Sequence, residues 1–388
     1  RPGKCPCRLA AVAGQRLIDA NTANANGIRD ADASHPFWTS PSMFSFFRKS
    51  KVNTVTVEGT PTTLEIPAGQ TLLEAMLGLG LAMPHDCKVG SCGTCKFKLV
   101  SGKIGELSPS ALALEGDEVR SGYRLACQAI PRSDLTIAVD APLSQGIAIA
   151  TYRGTIVAAQ RLCEDIIGLT IELDRPLAFT PGQYADLTAP GIEGARSYSF
   201  AFATVGEPTQ QLHFHIRHVP GGAFTDWLFC TDRTGMELKV TAPYGQFALK
   251  DSTAPILCIA GGSGLAPIIS ILEQALDRGA DRAVHLLYGA RRQSNLYALD
   301  KIAALRQRWM APFEFVPALS DEEPDSDWAG ARGLITEQIA GVADLAAHEA
   351  YLCGPPAMID FAEAQLLAAG ISRSVISADR FLDRSNRT

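Results

Sequence analysis

The sequence predicts a multidomain α+β and α/β protein with three structural modules that follow an N-terminal extension. Its 388 residues exceed the size at which one hydrophobic core stops growing, so two or three domains are expected. Short β runs around a Cys-rich loop come first, closely spaced β runs with little helix come next, and strands that alternate with helices end the chain. These patterns indicate a small α+β module, an antiparallel barrel or sandwich, and a doubly wound parallel sheet.

Composition and charge exclude several classes of protein. The chain is 46% hydrophobic and 20% charged, as globular proteins are, and its net charge of -6 offers no basic footprint for nucleic acid. The uncharged stretch from Ala254 to Leu272 is broken by glycines and Pro267, so it predicts no membrane span. Ten cysteines, four of them in metal-ligand spacing, favour a reducing, cytoplasmic location.

The first 49 residues are predicted to be a poorly ordered extension. They are rich in Ala, Asn and Asp, show no periodic pattern and lack the full apolar core of a signal peptide. The chain begins with Arg1, and we expect Met43 to be the natural start.

The small α+β module is predicted over residues 50–141. One helical run, Thr71 to Gly80, accompanies three β runs: Val52 to Glu58, Lys96 to Val100 and Leu135 to Val139. A stretch with Pro142 and Gly146 then indicates a linker.

Four cysteines of this module have the spacing of a plant-type [2Fe-2S] site. Cys87, Cys92 and Cys95 form C-x4-C-x2-C, and Cys127 follows 32 positions later. Two glycines within the loop permit the tight bend that such a cluster needs. The alternatives are a structural zinc site and cysteines without a metal. Zinc usually takes two separated C-x2-C pairs, of which the sequence has one, so we expect the four cysteines to be iron ligands.

The antiparallel module is predicted over residues 150–250, and one of its strands has a charged and aromatic face. Arg196 and Tyr198 project to the same side, where an arginine can pair with a flavin pyrophosphate and a tyrosine can pack on the flavin ring. Taken alone, this face is explained better by a half-exposed barrel strand, and only the neighbouring motifs favour the flavin interpretation. A second signal is the glycine turn before a short helical pattern, in which Gly222 and Thr225 are placed to donate hydrogen bonds to phosphate.

The doubly wound module is predicted over residues 251–388 and contains two strand, turn and helix junctions. The first includes Gly261, Gly262 and Gly264, which can cradle a pyrophosphate at a helix N-terminus, although a plain tight turn is the alternative. The second includes Gly354 and Pro355.

Two further residues of this module are candidates for contact with a bound ring. Cys353 is expected to face the crevice in which doubly wound sheets bind ligands, with an inert core thiol as the alternative. Phe381, near the C-terminus, is placed to cover a flavin ring or else to fill a surface groove.

Together these motifs resemble the oxygenase-reductase branch of the plant-type ferredoxin-NADP reductase superfamily, and most of all the electron-transfer reductases of xylene monooxygenases. The resemblance covers about Val52 to Phe381. It implies a β-grasp [2Fe-2S] ferredoxin domain, an FAD-binding barrel and a nicotinamide domain. It also implies transfer of electrons from NADH through FAD and the cluster to a terminal hydroxylase for aromatic or alkyl-aromatic substrates.

The resemblance assigns roles to individual residues. It places Arg196, Tyr198 and Ser199 on the flavin-binding strand, and Gly222 and Thr225 in the turn that binds the flavin phosphates. The nicotinamide site comprises the segments Gly261 to Gly264 and Cys353 to Pro355, and Cys353 and Phe381 lie against the reacting rings. No side chain is expected to act as a general acid or base, because hydride transfer needs none.

One departure from relatives concerns the electron donor. Asn295 stands where they often carry Asp, and Arg291 and Arg292 lie nearby. Because arginines beside the adenosine ribose favour a 2′-phosphate, NADPH stays an alternative to NADH, which we favour.

The electron acceptor is expected to be a separate non-haem iron hydroxylase, because the sequence shows no ligand set for such an iron. The resemblance favours an integral-membrane partner over a soluble di-iron monooxygenase or a ring dioxygenase. Two other functions remain open: a reductase for a dehydrase or other radical enzyme, and a redox sensor without turnover.

Overall fold

A computed structural model describes residues 52–61, 63–140, 146–203 and 207–381 of the chain. The extension predicted over residues 1–49, the expected start at Met43 and half of the predicted linker lie outside the described residues. Within the described residues, no helix is long and apolar enough to cross a membrane.

The first module is a five-stranded sheet with a helix packed on it, the β-grasp arrangement. Its elements are β1 Val52–Val57, β2 Thr63–Pro67, α1 Leu72–Gly78, β3 Lys96–Ser101, β4 Ile104–Glu106, α2 Gly116–Arg120, β5 Tyr123–Leu125, β6 Ala129–Pro131 and β7 Leu135–Ala138. The strand order is β2-β1-β7-β3-β5, in which β1 and β7 run parallel and the other neighbours antiparallel. Strands β4 and β6 form a separate pair.

Helix α1 begins at a capping box. The hydroxyl of Thr71 accepts from the N-H of Glu74 at 3.2 Å, and the Glu74 carboxylate accepts from the N-H of Thr71 at 3.1 Å. The helix buries Leu72 and Met76 in the same core as Phe97 of β3. This packing fixes both ends of the loop that carries the first three cysteines, since the loop runs from α1 to β3.

The second module is an antiparallel barrel. Its elements are β8 Ala150–Arg161, β9 Ile166–Leu177, β10 Tyr184–Thr188, β11 Arg196–Ser199, β12 Thr209–Arg217, α3 Ala223–Cys230 and β13 Glu237–Tyr244. The strand order is β11-β10-β13-β8-β9-β12. A bridge between Phe200, just after β11, and Phe214 of β12 joins the two edges of the sheet. This closure decides between the barrel and the sandwich that the sequence left open.

The third module is a parallel sheet flanked by helices. Its elements are β14 Ile256–Gly261, α4 Leu265–Asp277, β15 Val284–Ala290, α5 Leu299–Arg308, β16 Phe313–Leu319, β17 Ala331–Arg332, β18 Glu349–Gly354, α6 Pro356–Ala368 and β19 Ile376–Arg380. The order β17-β16-β15-β14-β18-β19 reverses direction beside β14. Ligands of such sheets bind at the carboxyl ends of the strands on either side of the reversal, here β14 and β18.

The predicted fold class is confirmed, and each predicted strand and helix of the three modules overlaps an observed one. The sequence patterns did not predict β2, β4, β5, β6, β16, β17, β19 or helix α2. Each of these elements is only two to seven residues long and includes a charged residue or proline, so none gives a run long enough to be recognised.

Candidate functional site

The four predicted iron ligands lie close together in the β-grasp module. Three occupy the loop before β3, and Cys127 lies between β5 and β6. Cys95 and Cys127 are buried, whereas Cys87 and Cys92 are partly exposed. One face of this group is therefore open toward solvent and the other is closed by protein.

The loop bends through left-handed backbone. The φ angle is 57° at Lys88 and 83° at Gly90. A Cβ at Gly90 would lie 2.9 Å from Cγ of Gln128, so only glycine lets the loop pack this closely on the segment that carries Cys127.

The four thiols form two pairs. The thiol of Cys92 lies beside that of Cys87 and lowers the pKa of Cys87, and the thiol of Cys95 acts in the same way on Cys127. In each pair one thiol is therefore favoured as a thiolate, the form of cysteine that binds metals, whereas the pKa of its partner, Cys92 or Cys95, is raised.

This arrangement fits a [2Fe-2S] cluster, in which two thiolates hold each of two irons. The N-H of Ser91 points at the Cys87 sulfur at 3.4 Å, and the Gln128 amide at the Cys127 sulfur at 3.3 Å. Such donors stabilise the negative charge of cluster ligands.

The predicted flavin strand is β11, which pairs with β10. Tyr198 packs against Phe224 with ring centroids 5.5 Å apart, and burial raises the pKa of its phenol. Arg196 donates to the Ala195 carbonyl at 2.9 Å, and no carboxylate among the described residues pairs with it. Its guanidinium is therefore available to an anionic ligand such as a pyrophosphate.

The predicted phosphate turn precedes α3, and Gly222 caps that helix. The hydroxyl of Thr225 donates to the Val219 carbonyl at 2.9 Å and accepts from the Val219 N-H at 3.1 Å. The Thr225 hydroxyl, which was expected to contact phosphate, is therefore already hydrogen-bonded within the turn. The donors left for an anion are the N-H groups of the first helical turn, which have no acceptor within the helix.

The two glycine junctions of the parallel sheet meet each other. A Cβ at Gly264 would overlap the Cys353 carbonyl oxygen, and one at Gly261 would lie 3.0 Å from Cδ of Pro355. Gly354 has a φ of 150°, and a Cβ on it would lie 3.1 Å from the Gly261 nitrogen. These residues let the ends of β14 and β18 lie side by side next to the N-terminus of α4, where N-H groups of a helix can bind a pyrophosphate.

Asp379 joins the flavin strand to the nicotinamide domain, and the sequence analysis gave it no role. Its carboxylate accepts from the Ser199 hydroxyl at 3.2 Å, and the Cys353 thiol points at it from 3.8 Å. Burial raises the pKa of Asp379 to about 7, and the negative charge of Asp86 beside the cluster loop adds to the shift. Residues of the barrel and of the nicotinamide domain therefore meet at this carboxyl, and the charge of Asp86 in the cluster loop acts on it.

Cys353 lies at the expected end of β18, but its thiol does not face an open crevice. The residue is fully buried, because Asp379 of the neighbouring strand β19 lies directly beside it. Phe381 is partly buried against the core of the nicotinamide domain, and its N-H donates to the Gly354 carbonyl at 2.9 Å. Its contact with a flavin ring stays a prediction.

Both arginines near the predicted ribose site pair with acids. Arg291 contacts Asp165 at 3.2 Å, and Arg292 contacts Asp321 and Glu323 at 3.3 Å each. Asp165 also accepts from the side-chain amide of Asn295 at 3.0 Å. These carboxylates neutralise the charge that a 2′-phosphate would need.

Arg217 is a second residue that the sequence analysis missed. It ends β12, and its Cδ lies 3.9 Å from where a Cβ of Gly262 would be, so the side chain runs beside the glycine turn. Its backbone pairs with Ile166 of β9, but its guanidinium makes no hydrogen bond or ion pair to another described residue. A free guanidinium at this turn is suited to an anionic ligand. Arg217 and its neighbour His218 belong to no motif by which sequence reasoning could have found Arg217.

Comparison with known families matches all three modules. Family models match a 2Fe-2S iron-sulfur cluster binding domain over residues 55–132, an oxidoreductase FAD-binding domain over 153–249 and an oxidoreductase NAD-binding domain over 258–364. The chain is 47% identical over 332 residues to the xylene/toluene monooxygenase electron transfer component of Pseudomonas putida, which covers 86% of this chain and 94% of the relative. The chain belongs to the oxygenase-reductase branch of the ferredoxin-NADP reductase superfamily.

Two further similarities support this membership. The reductase is 39% identical over 336 residues to the phenol 2-monooxygenase reductase component of Pseudomonas sp. strain CF600, which covers 84% of this chain and 94% of the relative. Its structure resembles that of an Amycolatopsis cytochrome P450 reductase with a TM-score of 0.78 and 34% identity, over 85% of this chain and 98% of the other. The reductase is an iron-sulfur flavoprotein oxidoreductase that binds a [2Fe-2S] cluster, FAD and a nicotinamide nucleotide, as the sequence predicted.

Proposed function

We propose that the reductase takes electrons from NADH and supplies them to a separate non-haem iron hydroxylase that oxidises aromatic or alkyl-aromatic hydrocarbons. The contact between the flavin strand and the nicotinamide domain at Asp379, with the cluster loop close enough for its charge to act there, carries this proposal. Ser199 of the flavin strand and Cys353 of the nicotinamide domain both hydrogen-bond to that carboxyl, and Asp86 of the cluster loop lies close enough to raise its pKa. A two-electron donor and a one-electron acceptor can thus both lie next to a flavin.

The proposal divides the chain into an extension over residues 1–49, a ferredoxin domain over 50–141, an FAD domain over 150–250 and an NAD domain over 251–388. The cluster ligands are Cys87, Cys92, Cys95 and Cys127, whose two thiol pairs would each hold one iron.

The barrel residues hold and orient FAD. Arg196 pairs with the pyrophosphate, Tyr198 packs against the ring system, and Ser199 lies at the reacting edge beside Asp379. Gly222 and Thr225 shape the turn that presents N-H groups to phosphate. A bound flavin supplies the conversion of one hydride into two single electrons.

The glycine turn with Gly261, Gly262 and Gly264 receives the nicotinamide pyrophosphate, and Arg217 lies beside it as a counter-charge. Gly354 and Pro355 shape the adjacent end of β18. Phe381 positions the reacting rings directly, the buried Cys353 does so through its contact with Asp379, and no side chain is required to carry a proton during hydride transfer.

The ion pairs of Arg291 and Arg292 support NADH over NADPH. Each guanidinium already contacts a carboxylate, so a 2′-phosphate would have to displace Asp165, Asp321 or Glu323. Displacement leaves a carboxylate without its counter-charge, which is unfavourable.

Two relatives named for xylene/toluene and phenol monooxygenases support an aromatic substrate for the partner. Within this proposal the hydroxylase is an integral-membrane enzyme, and the reductase binds its cytoplasmic face. Sedimentation of the reductase with membranes that contain the hydroxylase, compared with membranes that lack it, tests this step.

Anaerobic titration of the purified, reconstituted protein with NADH and with NADPH tests the electron path. We expect NADH to bleach the visible flavin and iron-sulfur bands and to produce a rhombic [2Fe-2S] signal in low-temperature EPR. Absence of either band after reconstitution contradicts the residue assignments, whereas a preference for NADPH overturns the donor alone. Failure to reduce cytochrome c with NADH would instead favour the redox sensor. Oxidation of an aromatic hydrocarbon when hydroxylase is added separates an oxygenase reductase from one that serves a dehydrase.

A further inference from the structure

Three residues around the cluster ligand Cys87 bind the cluster loop to the flavin barrel. The Nε2 atom of His85 accepts from the N-H of Gly245 at 3.0 Å, and its Nδ1 atom bonds to a carbonyl of its own loop at 2.8 Å. The carbonyl of Asp86 accepts from the Tyr184 hydroxyl at 2.8 Å. The third residue is Lys88, whose side chain crosses to the barrel.

The ammonium group of Lys88 lies in a pocket of one acid and two aromatic rings. Its Nζ is 2.6 Å from Oδ2 of Asp186, 3.3 Å from the ring centroid of Tyr244 and 4.9 Å from that of Tyr184. The side chains of Lys88 and Asp186 are only 19% and 18% exposed. An ion pair and two cation-π contacts thus replace the hydration of this cation, and the partner residue in each contact belongs to the flavin barrel.

The same acid is bonded to the flavin strand. Oδ1 of Asp186 accepts from the Ser197 hydroxyl at 2.7 Å, and Ser197 lies between the two residues proposed to contact FAD. Tyr184 stands opposite Ser199 in the ladder between β10 and β11. Lys88 is therefore tied through one carboxylate to the strand that holds the flavin, while its chain neighbour Cys87 binds iron.

We propose that Lys88 is a positioning residue that locks the cluster loop onto the flavin barrel and so fixes the separation of the two redox centres. The inference rests on the proposed cluster and flavin ligands. In the step concerned, the flavin loses one electron and the cluster gains it, and no bond is made or broken. Lys88 acts by holding Cys87 in place, since a loop released from Asp186 and the two tyrosines can move away from β11.

The substitution Lys88→Met tests this role, because it keeps the length and apolar stem of the side chain and removes the charge. Lys98→Met is the matched control, since Lys98 is exposed on β3 of the same domain. Hydrogen-deuterium exchange is measured on residues 184–186 and 244–245. Stopped-flow absorbance separates the rate of flavin reduction by NADH from the rate of cluster reduction that follows.

In Lys88→Met we expect exchange at the Gly245 amide to rise about tenfold, as the loss of a desolvated cation-π contact implies. Cluster reduction is expected to slow by a similar factor, while flavin reduction keeps the wild-type rate. Lys88→Arg should change both less than Lys88→Met does, because arginine keeps the charge and also pairs with acids and stacks on aromatic rings, although its planar guanidinium does not match the site of an ammonium group. Lys98→Met should match the wild type in every measurement.

If hydrogen-deuterium exchange in Lys88→Met is unchanged, Lys88 does not lock the loop onto the barrel. If exchange increases but the rate of cluster reduction is unchanged, Lys88 locks the loop without positioning the redox centres, and the proposal is overturned. If Lys88→Met loses iron, the substitution Asp186→Asn tests the proposal instead. It removes the same ion pair from the barrel side, because Asp186 lies on β10, and leaves the sequence of the cluster loop unchanged. It should give the same two changes, and wild-type behaviour would refute the proposal. If the proposed function itself is wrong, the wild-type protein will lack the flavin or cluster bands or will not be reduced by NADH. That outcome differs from a failure of the Lys88 proposal, which appears only in the variants.

Discussion

The substitution Asp379→Asn should make the stability of the nicotinamide domain less dependent on pH. Asp379 is enclosed by Ser199 and Cys353, and burial raises the pKa of its carboxyl to about 7 from an ordinary value of 3.8. Between these two values the folded protein holds a proton that the unfolded chain has released. The stabilisation is therefore complete below pH 3.8 and is lost as the pH rises through 7.

The magnitude follows from the free energy of one pKa unit, ~1.4 kcal/mol. The stabilisation falls with pH only up to the folded-state pKa of about 7, so about two pH units of the fall lie above pH 5. The wild type should therefore lose up to ~3 kcal/mol of stability from this group between pH 5 and pH 8. Asparagine has nearly the same shape and carries no charge at either pH. The advantage of Asp379→Asn over the wild type should thus grow by that amount.

Differential scanning calorimetry at pH 5 and pH 8 measures the effect. At ~2–4 °C per kcal/mol, the difference in Tm between variant and wild type should be several degrees larger at pH 8. Asp325→Asn, at an exposed position of the same domain, is the control. An equal difference in Tm at both pH values would refute the argument that burial holds a proton on Asp379.

Three further predictions concern the binding sites. Cys92→Ser should lose iron and retain flavin, and an unchanged iron content on metal analysis would contradict the ligand assignment. Gly264→Ala should destabilise the domain by about 1–3 kcal/mol in urea unfolding, because its Cβ would overlap a backbone carbonyl, whereas Gly341→Ala has open space and should not. Asp165→Asn should release Arg291 and raise kcat/KM for NADPH relative to NADH about tenfold, the worth of one charge-assisted hydrogen bond; an unchanged ratio would show that this pair does not select the donor.

Sequence reasoning predicted the modules because their signals are local. The cysteine spacing around Cys92, the short β runs of the barrel and the strand, glycine and helix junction at Gly264 each fall within a few residues. The capping box at Thr71 is also a local pattern, but it was not predicted. Strand β19 carries no such pattern, since it is short and charged.

The contacts between modules could not be predicted in the same way, because they join residues far apart in the chain. Ser199 and Asp379 are 180 positions apart, and Lys88 and Asp186 are 98 apart. Nothing in the neighbourhood of Lys88 distinguishes it from any lysine in a loop. Its burial follows from the barrel strand that the fold places over it.

The two interfaces of the barrel differ in chemistry, and the difference matches the two electron-transfer steps. Toward the nicotinamide domain, Ile166 and Phe247 of the barrel join the apolar core that also contains Cys353. Toward the cluster loop, the contacts described above are polar and aromatic, with Lys88 at their centre. Hydride transfer requires two rings in direct contact, which a shared core can hold rigidly. A single electron can pass between centres that do not touch. A polar interface is therefore sufficient on the cluster side, provided that contacts such as those of Lys88 keep the two centres at a fixed separation.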